Sequence, residues 1–197
     1  MPGSAEWLIE IVSIRASDAV KRATHQTSIF SRFQLSPDDP DPRQRPEAEM
    51  IRVEEKIVEK VWANGLPTKF PEPRGAIHLI LVDMRGYLDH GGTIRDYQQT
   101  AYGWFGLSFN QARWAYRWEI APGRPEPIKG LFEEGSPLPA ARLIQERIHF
   151  VGFDSERAYR EGEIRNIGYY IANWHLFSDD SQAREVFASY PLQPSSS

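Results

Sequence analysis

Cysteine is absent from this chain of 197 residues, which excludes disulfides, thiolate zinc sites and thiol nucleophiles. Any metal must therefore sit on oxygen or imidazole ligands. Long apolar runs are missing too. Nothing approaches the roughly 18 to 20 residues needed to span a bilayer, and the opening Met-Pro-Gly-Ser-Ala-Glu lacks the basic-then-apolar order of a secretory leader. No membrane partner is expected, and the cytoplasm is the default address. Excess charge is small: the formal net charge is -4 and the pI about 5.8, which argues against a broad basic footprint on nucleic acid but leaves room for a local basic patch. Catalytic signatures are scarce. There is no Gly-x-Ser-x-Gly elbow, the glycines have no phosphate-loop spacing, and His25, His78, His90, His149 and His175 include no pair three or four apart on one helix.

What is present is the material of a packed domain. Hydrophobic residues make up 41% of the chain, aromatic residues 12% and charged residues 25%, a balance that supports one globular core. Residues 1–34 form an N-terminal segment whose apolar stretch, residues 7–14, fits strand-then-helix and two helices equally well. Residues 35–46 carry four prolines among aspartates and arginines and read as a linker. Residues 47–190 read as a single domain, and the serine-rich residues 191–197 as a mobile tail. No internal repeat is found.

Within the domain, residues 47–63 predict a helix that ends at Asn64-Gly65, with Met50, Val53, Ile57, Val58, Val61 and Trp62 as its apolar stripe. Residues 76–84 are a continuous apolar run of strand length, expected inside a sheet and covered on both faces. A helix over 94–102 should follow, with Thr93 and Asp96 as a capping box. Residues 112–120 alternate as a half-exposed strand, Pro139 opens a short helix ending near Gln145, and residues 148–153 and 169–177 predict two more strands around a turn at Gly162. Asp179 or Asp180 caps a last helix. The pattern is an α/β or α+β domain with a mixed central sheet of about four or more strands flanked by helices.

Two carboxylates stand out. Glu54 falls near the centre of the helix stripe, where an ionised group is costly unless a cation, a hydrogen-bond set or a metal compensates it. An ion pair with an arginine or a place at the edge of the stripe would be a structural solution, and metal or proton-transfer chemistry a functional one. Asp83 ends the apolar strand, where α/β sheets place ligands, and reads equally as a metal ligand or general base and as a cap on the following loop. His78, His149 and His175 lie on expected strands, where core histidines are commoner than ligands. Arg113 and Arg117, beside Trp104 and Trp114, suit either a solvated strand face or phosphate contact with stacking.

A helix with an inward Glu54, then an apolar strand ending in Asp83, then further strands and helices resembles the restriction-endonuclease-like PD-(D/E)XK superfamily, in particular its degenerate bacterial branch. The resemblance spans about residues 47 to 190. It implies Glu54 and Asp83 as catalytic metal ligands, with a magnesium or manganese ion as candidate cofactor and nucleic acid as substrate. The superfamily's Glu-x-Lys does not follow Asp83 directly. Its nearest substitutes, Asp154-Ser-Glu156-Arg157 and Glu163-Ile-Arg165, contain no lysine. Two functions follow: a metal-dependent nucleic-acid phosphodiesterase, or a non-catalytic module that kept the sheet and binds a protein partner or a second copy of itself as a homodimer.

Overall fold

The computed structural model describes residues 5–26, 31–33, 39–44, 46–67, 69–87, 94–102, 119–121, 124–125, 129–136, 140–158 and 164–190. The expected capping box at Thr93, most of the alternating strand 112–120 with Arg113, Arg117, Trp104 and Trp114, the turn at Gly162, residue Glu163, His90 and the tail 191–197 lie outside the described residues. In chain order the elements are β1 (Glu6–Ser13), α1 (Asp18–Arg22), β2 (Thr24–Gln26), β3 (Ser31–Phe33), α2 (Pro46–Val58), β4 (Trp62–Ala63), β5 (Leu66–Pro67) and β6 (Ala76–Asp83). They continue with α3 (Ile94–Tyr102), β7 (Glu119–Ala121), β8 (Arg124–Pro125), α4 (Ala141–Arg147), β9 (Phe150–Ala158), β10 (Ile164–Ala172) and α5 (Asp180–Ala188).

The protein is a mixed α/β domain on a four-stranded sheet of order β1-β6-β9-β10. β1, β6 and β9 run parallel, and β10 returns antiparallel to β9. The N-terminal segment resolves as strand then helix, because Ser17 accepts a hydrogen bond from the Val20 amide and starts α1 after the strand. β6 is an interior strand, as its unbroken apolar run predicts. Its even positions Ile80 and Val82 join one cluster with Val53 and Ile57 of α2, Tyr97 and Ala101 of α3 and Ile144 of α4. Leu79 faces the other way, into a cluster with Phe150, Ala172, Ala183 of α5 and the aromatic rings of Trp7, Tyr170 and Phe187. Fully burying a side chain such as Leu79, Ile80 or Val82 stabilises the fold by about 1.5–3 kcal/mol.

Several boundaries differ from the sequence expectation. α2 stops at Val58, and Asn64-Gly65 forms a hairpin turn between β4 and β5 in place of a helix stop. Both turn residues have positive φ, 54° and 78°, the conformation that an Asn-Gly hairpin turn requires. β9 runs five residues past the expected 153, so Asp154 and Ser155 stand in the strand. β10 begins and ends earlier than expected, at Ile164 and Ala172, because Asn173 turns the chain: the Leu176 amide donates to the Asn173 carbonyl at 3.0 Å. Asp179 caps α5 through the Gln182 amide at 2.8 Å, as foreseen. Inside the expected linker, Asp41 accepts from the amide and side chain of Arg43, both at 3.0 Å, and holds a short 3₁₀ turn over Pro42–Gln44.

Candidate functional site at the carboxyl end of the sheet

α5 covers only part of its face of the sheet. Beyond the aromatic cluster, Ile11 is 56% exposed, and Ser13, Asp83, Asp154 and Gly168 remain open or half-open to solvent. Strand register sets these polar residues in one row: Ser13 pairs with Asp83, Asp83 with Asp154 and Asp154 with Gly168. The row runs along the carboxyl ends of β1 and β6, the usual ligand-binding edge of an α/β sheet, and crosses the middle of β9.

Asp83 is heavily engaged there. Its Oδ1 accepts from the Arg85 amide at 3.1 Å and from Arg85 Nε at 2.8 Å, while Oδ2 accepts from Arg85 Nη2 at 3.1 Å and from Ser13 Oγ at 3.3 Å. The Arg85 side chain is the main reason that the Asp83 carboxyl lies below the usual carboxylate range. The same guanidinium reaches toward Asp154, with Nε 3.7 Å from Oδ2. The loop-capping role weighed for Asp83 is thus realised.

Glu54 occupies a different environment. It is 0% exposed, between Val53 and Ile57 on α2, and neither carboxylate oxygen has a hydrogen-bond partner among the described residues. Burial pushes its pKa well up, and the carboxylates of Glu133 and Glu55 push it further. Among the described residues no cation compensates it, and the charge that acts on it most is that of a second acid, Glu133. Glu133 itself is raised by burial. Among the described residues Glu54 and Asp83 share no hydrogen-bond or charge partner, and strand alternation turns Asp83 to the α5 face, whereas the neighbours of Glu54 on α2 pack with Ile80 and Val82 on the opposite face.

His78, His149 and His175 serve the backbone. His78 Nδ1 lies 2.9 Å from the Arg147 carbonyl and His175 Nε2 2.7 Å from that of Phe132, so both nitrogens carry protons. The His78 amide donates to His149 Nδ1 at 3.1 Å, and burial beside His78 brings the His149 pKa down to about 4. Among the described residues, no group of three or more His, Asp or Glu side chains is placed to hold a metal ion. The two carboxylates that the resemblance implies as ligands lie toward opposite faces of the sheet and are not brought together. Sequence reasoning missed the Asp83–Asp154 pairing and the roles of Ser13 and Arg85; only the Asp83-x-Arg85 spacing, which suits a local ion pair, carried a readable signal.

The fold and its open edge define the class: a mixed α/β domain in which no helix among the described residues is long and apolar enough to cross a membrane. Comparison with protein-family models, curated proteins and solved structures finds no match to this chain.

Proposed function

We propose that this chain is a degenerate relative of the restriction-endonuclease-like superfamily that acts as a non-catalytic binding module, using the open surface at the carboxyl ends of β1 and β6 and the middle of β9. The observation that carries this reading is the double engagement of Asp83 by Arg85: a guanidinium fills the place where the resemblance would put a metal ion. Glu54, the other carboxylate of that resemblance, is sealed among apolar side chains next to Glu133. A carboxyl that burial biases toward its protonated form is a poorer ligand for a divalent ion than an open carboxylate.

One observation favours the phosphodiesterase reading. Asp83, at the end of β6, and Asp154, in the middle of β9, are register partners on adjacent parallel strands, a placement from which two carboxylates can approach one cation. Thermal unfolding with and without magnesium or manganese, paired with a nuclease assay on single- and double-stranded substrates, separates the two. The binding module predicts no cleavage and no metal-dependent gain in Tm. A gain abolished by Asp83→Asn and Asp154→Asn, together with cleavage, would establish the enzyme instead.

A further inference from the structure

At the opposite end of the sheet from Asp83 lies a cavity of about 470 Å3. Its floor is a square of residues on one face of β1 and β6, where Glu6 pairs with Ala76 and Leu8 with His78. Its wall is the chain leading into β6, with Pro71, Glu72 and Arg74. This wall is anchored on both sides. Phe70 is buried against the His78 ring, centroids 5.2 Å apart, and its carbonyl accepts from Arg147 Nη1 at 2.9 Å. Lys69 meets Glu10 at 2.7 Å, and Gly75, at a φ of 88° that favours glycine, turns the chain into the strand. The cavity is thus held open by its frame, and its volume is that of a small-ligand site.

The polar groups select the ligand. His78 is 1% exposed, and its Nδ1 must donate to the Arg147 carbonyl, which can only accept. Nε2 is left as an acceptor, with no hydrogen-bond partner among the described residues. Glu6 and Glu72 bring two carboxylates to the rim, and Arg74 offsets one of them from 3.5 Å. An anion would meet a bare acceptor and a net negative rim. A metal is not favoured, because these acids and His78 do not form a ligand group. A ligand with an N–H donor for Nε2, positive charge for the carboxylates and an apolar stem against Leu8 and Pro71 satisfies every group. We propose that this cavity binds a small organic cation: a guanidinium or primary ammonium on an apolar stem. The site is independent of the carboxyl-end surface, so failure of either proposal leaves the other intact.

The test is thermal unfolding of the full chain at fixed ionic strength with agmatine, N-acetyl-arginine methylamide and inorganic phosphate as separate probes. A saturable rise in Tm with agmatine is expected. Loss of that rise, through at least tenfold weaker binding, is expected in the double variant Glu6→Gln/Glu72→Gln, whose exposed positions leave the core untouched, and in Leu8→Trp, which fills the cavity. The 15N resonance of His78 Nε2 should shift on binding. A response to agmatine alone assigns a free amine, and a response to both cations assigns the arginine side chain of a peptide. No saturable rise, a rise that survives in the Glu6→Gln/Glu72→Gln protein, or an equal response to phosphate would overturn the proposal.

Discussion

Burial pushes the Glu54 carboxyl well above the usual carboxylate range, and the charges of Glu133 and Glu55 push it the same way. Its folded-state pKa stands above the reference value of 4.5, so the stability tied to its proton is complete below about pH 4.5 and is lost as pH rises toward the folded pKa. Urea unfolding across this range should show a downward slope with pH that Glu54→Gln flattens. Glu54→Met, which also removes the unsatisfied polar atoms, should gain about 1–3 kcal/mol at pH 7. No gain would mean that these oxygens have partners after all. Asp83 has the opposite sign. Its lowered pKa contributes stability above about pH 3.8 that disappears as pH falls through the folded value. Arg85 is nearly half exposed, so screening trims the effect, and Asp83→Asn should cost about 1 kcal/mol in the same assay. A cost above about 3 kcal/mol would assign Asp83 a far larger structural role. The inward aim of Glu54 was legible in its helical stripe and the strand-end place of Asp83 in its apolar run. Their company was not: Glu133 and Asp154 come from distant parts of the chain, and only tertiary packing and strand register bring them near.

At the scale of elements, β6, α3 and the Asp179 cap of α5 could be read directly, because each rests on a local pattern. The end of α2 could not, since Asn-Gly serves a helix stop and a hairpin turn alike, and the pairing of β4 with β5 decided it. The β9–β10 hairpin offers a packing test. Tyr170 is the register partner of Gly152, and a Cβ added at Gly152 would lie 2.7 Å from the Tyr170 ring and 3.1 Å from Leu81. Gly152→Ala must displace that ring and should cost about 1–3 kcal/mol. Ile80→Ala, in the fully buried middle of β6, should cost about 2–5 kcal/mol by leaving a cavity. Equilibrium denaturation measures both. A loss below about 0.5 kcal/mol for Ile80→Ala would contradict the interior position of β6.

For the whole molecule, the sheet is assembled from distant pieces. Ser13 meets Asp83 across 70 residues, and His78 meets His149 across 71. The sheet class could be read from alternating strand and helix patterns, but the joining of β1 to β6 could not, because a parallel pair leaves no turn between its strands as a signal. That separation has a consequence during synthesis. At about 5–20 residues per second, a newborn β1 waits on the order of 4–14 seconds for β6 to be made, and a similar time passes before β9 arrives. Throughout that interval the edge of β1, with Trp7, Ile9 and Ile11, is an unpaired sticky strand. Slower translation between codons 14 and 76 should therefore lower the soluble yield, and a trailing chaperone that shields nascent apolar segments should restore it.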